Sequence, residues 1–194
     1  YGPMKIYEKL EENDQSNINN LVVGPWRHGG WARGKGDSLW AIGFGSNTSE
    51  YYRSKIQAPW FFHHLKGNNS QNFPEAHVFI TGLNQWKSFK TWPPLSETKP
   101  TNFYFRPDNS ITMNLSVDKE GTESLSYVSD PNNPVPYSKR PIKGFWQGAQ
   151  AMWKVEDQRF LDNREDVLTW MTKPLEEGIE IAGEIILNLF ASTT

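Results

Sequence analysis

The residue best placed to do chemistry in this sequence is His28. It follows Leu21-Val22-Val23, a short continuous apolar run, and stands inside Gly24-Pro25-Trp26-Arg27-His28-Gly29-Gly30. A continuous apolar run of this kind suits a parallel strand buried on both faces. A loop just past the carboxyl end of such a strand is where open α/β sheets place their active-site crevice. An imidazole there can do proton transfer, because its ordinary pKa of about 6.5 lets it take up and release a proton around neutrality. Gly29 and Gly30 allow a tight backbone turn and close approach of other groups to the ring. Arg27 could orient the loop, meet a substrate carboxylate, or form an ordinary surface ion pair, and its position does not separate these.

Other chemistry-bearing residues point to less. His63 and His64 are adjacent, and on a helix neighbouring residues project about 100° apart, so they cannot chelate one metal from a single face. Glu11-Glu12 and Glu176-Glu177 are adjacent carboxylates that read as solvated edges beside turns. With no cysteine, thiolate metal sites, disulfides and cysteine nucleophiles are excluded. No metal site and no cofactor is expected. Trp86, Trp92, Trp146 and Trp153 lie in loop-like contexts, where large rings either form a ligand platform or fill space beneath loops; filling is the expected role.

The elements that must position His28 can be read on both sides of it. From Pro3 to Glu12, Met4, Tyr7 and Leu10 recur at helical spacing, with Pro3 suited to a first helical position. A polar stretch, 13–20, then leads into the apolar run, so helix, connection, strand and turn form one αβ unit. Residues 31–47 are glycine-rich and read as a long ordered loop. A second helix is expected from an Asn47 cap, with Glu50 three residues on, to a basic last turn and a stop at Leu65-Lys66-Gly67. Tyr52, Ile56, Trp60 and Leu65 would form its buried stripe, and Pro59 should kink or interrupt it. Residues 68–74 read as a linker, giving a domain boundary at 70/71. Beyond it the period becomes two, with strands expected at 77–81, 102–106, 111–115, 124–128 and 179–191 and a tight turn at Pro107-Asp108-Asn109-Ser110. The order is the end of an α/β domain, residues 1–70, and then an all-β sandwich of jelly-roll kind, residues 71–194.

Composition narrows the partners. The 20 basic and 22 acidic residues give a net charge of −2 with no block of either sign, so neither nucleic acid nor an anionic membrane is an expected partner. No apolar run approaches the roughly 18 residues that would span a bilayer.

Several motifs, in order, carry a family resemblance. Gly24-Pro25-Trp26-Arg27-His28 resembles the histidine loop of the hydrolases that group X-prolyl dipeptidyl peptidases, cocaine esterase and α-amino-acid ester hydrolases, with glutaryl-7-aminocephalosporanic acid acylases among them. Ala58-Pro59-Trp60-Phe61-Phe62-His63-His64-Leu65-Lys66-Gly67 is similar to that group's helix ending in Leu-Lys-Gly. The stretch from Val78 through Gly82-Leu83-Asn84-Gln85-Trp86, with Trp92-Pro93 after it, resembles the opening of its jelly-roll domain. Asp130-Pro131-Asn132-Asn133-Pro134-Val135-Pro136-Tyr137 and Asn163-Arg164-Glu165-Asp166-Val167-Leu168-Thr169-Trp170 resemble later parts of that domain.

The resemblance implies an α/β-hydrolase segment followed by part of a galactose-binding-like jelly roll. It also implies acyl transfer through an acyl-enzyme, with His28 as the triad base, Gly24, Pro25, Trp26, Arg27 and Gly29 as its loop, and a small-molecule ester, amide or peptide as substrate. A periplasmic or secreted location goes with it. The sequence contains no Gly-x-Ser-x-Gly elbow, so the serine and the aspartate are expected on a separate segment of the same protein, and the chain by itself is expected to be inactive. An unpaired strand near 185–190 would favour self-association into a homo-oligomer. The alternative reading is a noncatalytic β-sandwich module binding carbohydrate or another ring-stacking ligand.

Overall fold

The computed structural model describes residues 2–16, 18–67, 72–114, 124–138, 140–141 and 155–193. Two compact units are present, Tyr1–Thr98 with Ile181–Thr194, and Lys99–Glu180.

The first unit is built on a three-stranded sheet of Leu21–Val23, Ala76–Ile80 and Gln85–Phe89, in that order. Strand β1 (Leu21–Val23) runs parallel to β4 (Ala76–Ile80), in the register Leu21 to Ala76 and Val23 to Val78. Strand β5 (Gln85–Phe89) returns antiparallel to β4, pairing His77 with Ser88 and Phe79 with Trp86. Parallel neighbours require a crossover, and the chain supplies it as a loop and a helix between β1 and β4. The boundary read at 70/71 therefore falls inside a β-α-β unit of one sheet. Residues 68–74 read as a linker because they are polar and end in proline, yet the strand after them continues the sheet begun by β1.

Alternation of side chains along β4 and β5 gives the sheet two faces. On one face Ala76, Val78, Ile80 and Phe89 pack with Leu21 and with Tyr7 of α1 (Gly2–Glu11), and Met4, Val23 and Trp92 close the edges. Met4 and Tyr7 of the expected helical stripe thus face the core, whereas Leu10 is exposed. The Tyr7 hydroxyl donates to Glu75 Oε1 at 2.5 Å, and burial of Glu75 raises its carboxyl above the ordinary value. The other face carries His77, Phe79, Trp86 and Ser88. Phe44 meets Phe79 edge-on with centroids 5.6 Å apart.

The crossover helix comes in three stretches: α2 (Thr48–Tyr51), a wider π-helical run (Tyr52–Gln57) and α3 (Ala58–Lys66). Pro59 has no N–H to give to the carbonyl four residues back, and the change of helical pitch just before it is how the chain accommodates that loss. Gly67 stops the helix with φ of 67° and donates its N–H to His63 O at 3.1 Å, the expected left-handed cap. At the other end, Asn47 makes no side-chain bond to the helix backbone; its amide donates to the Glu50 carboxylate instead, at 2.7 Å. The 31–47 loop contains a small hairpin, β2 (Ser38–Leu39) and β3 (Ile42–Gly43), that the glycine-rich sequence hid.

In the second unit β6 (Tyr104–Phe105) and β7 (Ile111–Thr112) form the expected hairpin around Pro107-Asp108-Asn109-Ser110, with Asn109 left-handed and Asp108 accepting from Ser110 N at 2.9 Å. Trp170 packs on Phe105 and donates to Arg106 O at 3.1 Å. Arg164 grips Asp166 and the Asn133 carbonyl. The strand expected at 124–128 in this unit does not form, nor does the one expected at 179–191, most of which belongs to the first unit: those residues are described and enter no ladder. Their β-type side chains give propensity, but a strand exists only with a partner to take its N–H and C=O groups. Ile185, Ile186, Leu187, Leu189 and Phe190 are consequently exposed. The described strands of this unit form no jelly-roll sandwich.

Candidate functional site

The loop that bears His28 leaves β1 at Val23 and turns at once, with Trp26 N–H donating to Gly24 O at 2.9 Å. The Trp26 ring then folds back over Gly24, leaving no room for a β-carbon there. It is wedged between Tyr52 of the π-helical run and Trp86 of β5, at centroid distances of 5.0 and 5.9 Å. Its indole N–H donates to Thr48 Oγ1 at 2.8 Å. Two residues beyond His28, Gly30 N–H closes a turn onto Arg27 O at 2.8 Å, and Gly29 takes φ of 73°, a conformation that favours glycine. A 3-10 turn over Gly30–Ala32 follows.

The start of the crossover helix grips the far side of the same loop. Thr48 Oγ1 donates to Gly36 O at 2.5 Å, and Ser49 Oγ donates to Gly30 O at 3.0 Å. Ser49 N–H gives a bond of 2.9 Å to Lys35 O. The Arg53 guanidinium spans the carbonyls of Trp31 and Gly34 at 2.9 and 2.8 Å. His28 itself is exposed. Its ring meets Trp31 edge-on at 6.0 Å and makes no hydrogen bond to any described residue, so both ring nitrogens are open. Arg27 is also exposed and pairs with no carboxylate among the described residues. The sequence-read loop residues Gly24, Pro25, Trp26, Arg27 and Gly29 are thus all on one braced turn with His28.

Sequence reasoning did not single out His77. It lies on the side of the sheet toward the crossover helix, beside a cavity of about 400 Å³ lined by Tyr51, Ile56, Trp60, Phe73 and Ser88. The ring stacks on Trp86 at 5.0 Å with planes 4° apart, and its Nδ1 shares a hydrogen bond of 2.9 Å with Ser88 Oγ. Burial holds its pKa below the ordinary value. Only the β4–β5 register brings His77 and Ser88 together, and that register is not written in either strand alone. His28 does not line this cavity.

The remaining candidates are packing residues. His64 lies on Trp60 at 4.2 Å and His63 meets Phe73 edge-on at 5.5 Å. Trp86 is enclosed by Trp26, Tyr51, His77 and Phe79, and Trp92 packs on Phe89. Both are half-buried and pack against other rings. Trp146 and Trp153 lie outside the described residues.

No protein-family model matches the chain. It is similar to cocaine esterase of Rhodococcus sp. (strain MB1 Bresler), with 29% identity over 182 residues, 90% of this chain and 30% of that protein. A protein of Mycobacterium bovis named as a serine esterase is 26% identical over 179 residues, 91% of this chain and 26% of its own length. Among solved structures, an α-amino acid ester hydrolase superposes with a TM-score of 0.80 at 33% identity, over 94% of this chain and 30% of that one. An aminopeptidase from a marine sediment archaeon, Thaumarchaeota archaeon, gives 0.78 at 32% identity, over 91% and 29%. The chain spans less than a third of the length of these proteins. It is a relative of cocaine esterase and of α-amino acid ester hydrolase, matching one segment of an α/β-hydrolase-related fold.

Proposed function

We propose that this chain supplies the general-base histidine, His28, of a serine hydrolase that cleaves small esters, α-amino esters, β-lactam side-chain amides or proline-containing peptides. The observation that carries the reading is the open imidazole on a braced loop past the end of a parallel strand, in a chain whose relatives are esterases and ester hydrolases. With both nitrogens unengaged, one can accept a hydroxyl proton from a serine and the other can donate to a carboxylate that fixes the tautomer. In acylation the neutral ring takes the serine proton during attack on the carbonyl carbon, then returns it to the departing alcohol or amine. In deacylation it repeats the cycle with water.

Serine and acid are assigned to a separate segment of the same protein, since these 194 residues hold no nucleophile elbow. The hairpin β6–β7 and the unpaired apolar stretches after it are read as strands of a jelly-roll sandwich whose ladder partners are not among the described residues. Two measurements test the proposal. The 194-residue chain alone should not hydrolyse p-nitrophenyl esters. In the assembled hydrolase, His28→Ala should lower kcat by at least about 10⁴-fold. Esterase activity of the lone chain that depends on His28, or an assembled enzyme indifferent to His28→Ala, refutes it.

A further inference from the structure

We infer that Thr48 and Ser49 are positioning residues for the His28 ring, a latch that fixes the loop on both sides of the imidazole while leaving the imidazole itself free. The inference rests on the assignment of His28 as the general base.

Thr48 and Ser49 are the buried polar residues among those described, each with no exposed surface. A hydroxyl out of water is unfavourable unless it is hydrogen-bonded. At the first turn of a helix such hydroxyls ordinarily serve their own helix or solvent. Ser54, one turn on, does so, donating to Glu50 O at 2.7 Å. Thr48 and Ser49 instead spend their hydroxyls on the histidine loop.

Their targets bracket one residue. Thr48 Oγ1 accepts from the Trp26 indole, two residues before His28, and Ser49 Oγ donates to the carbonyl of Gly30, two residues after it. Thr48 Oγ1 also donates to Gly36 O, so a single hydroxyl joins the two ends of the loop. The loop is shaped to receive them. Gly36 has φ of 69°, and a β-carbon on it would stand 2.7 Å from Ser49 N. No side chain would fit there with the latch closed. Fold stability alone does not require two adjacent hydroxyls to converge on the flanks of one exposed imidazole.

A residue that acts this way affects the geometry of proton transfer more than substrate binding. A displacement of about 1 Å in a catalytic group lowers turnover by about 100-fold. In the assembled hydrolase, Thr48→Val, which keeps shape and removes the hydroxyl, should lower kcat by about 100-fold with KM within about twofold. Thr48→Ser, which restores the hydroxyl, should recover kcat to within about threefold of the parent. Ser49→Ala removes one of the two brackets and should lower kcat by about 10-fold, again with KM unchanged; it also serves if Thr48→Val does not fold, as circular dichroism would show. Folded Thr48→Val or Ser49→Ala enzymes with parental kcat overturn the inference, as does a kcat loss that Thr48→Ser fails to recover. The His28→Ala control separates the two levels. If His28→Ala abolishes turnover and the latch variants do not reduce it, only the latch is wrong. If His28→Ala is harmless, both fall.

Discussion

Replacing Gly24 by alanine should be destabilising, although the backbone there would accept it. Gly24 is not among the glycines with positive φ, and at such a position Gly→Ala ordinarily stabilises by about 0.4–1 kcal/mol through the unfolded chain. Here the added β-carbon would lie within 2.5 Å of three ring atoms of Trp26. The ring must move, and it is not a loose side-chain end. Moving it breaks the indole bond to Thr48, about 1 kcal/mol. It also disturbs the contacts with Tyr52 and Trp86, about 0.5–1.5 kcal/mol each. The sum is a loss of about 2–4 kcal/mol. With a urea slope of about 2 kcal/mol/M, ordinary for a small domain, the unfolding midpoint should fall by about 1–2 M. The assay is urea denaturation of the 194-residue chain followed by circular dichroism, together with the Trp26 indole N–H resonance, which should shift. Gly29→Ala is the contrast: nothing lies within 4 Å of its β-carbon, but its φ is 73°, so it should lose about 1–2 kcal/mol from backbone strain alone and leave the Trp26 resonance in place. An unchanged or raised midpoint for Gly24→Ala, with the indole resonance unmoved, would refute the wedge.

Two further outcomes follow from the first unit. Phe89→Ala empties a buried site between α1 and the sheet and should cost about 3–5 kcal/mol, read as a lowered urea midpoint. His77, held by burial below its ordinary pKa of 6.5, gives a pH dependence. The unfolded chain binds more protons than the native state between that lowered value and 6.5, so the contribution of His77 to stability is complete above about pH 6.5 and is lost as pH falls through the window. Urea midpoints measured from pH 7.5 downward should fall, and His77→Phe, which keeps a ring against Trp86, should flatten that slope; an identical slope in the variant would show that other groups carry it.

The parts of this fold that were legible in the sequence are those fixed by local chemistry. Met4 and Tyr7 at helical spacing, the Leu-Val-Val strand, the Gly67 stop and the Pro107–Ser110 turn each depend on residues close in sequence, and each is where the spacing puts it. Pairing is another matter. Strand β4 reads as the start of an all-β domain because a polar, proline-terminated stretch precedes it, yet its partner is β1, more than fifty residues earlier. Strand β5 was hidden, since Gln85, Lys87 and Ser88 make it look like a loop. Residues 124–128 and 179–191 show the reverse: their side chains favour strands, yet among the described residues they enter no ladder. The motif around His28 marked the loop that the helix start grips, because its residues are neighbours in sequence. The brace was not legible, because a threonine and a serine at a helix start read as solvent-facing caps until the loop is seen folded over them.

The brace also decides which residues the histidine loop depends on. Trp26 is held by Tyr52 and Thr48 from the crossover helix and by Trp86 from β5. Trp86 is in turn fixed by its place opposite Phe79 and by its stack on His77. Trp26 therefore acquires all its neighbours only when β4 and β5 have joined β1 and the helix has closed over them. In the proposed role, a histidine acting on a nucleophile from another segment must already be held when that segment arrives, because ordering a loop at the moment of reaction adds its entropy to the barrier. The unit that prepares His28 is accordingly the whole β-α-β-β arrangement through Phe89. A division at residue 70 would separate the imidazole from the indole that wedges its loop.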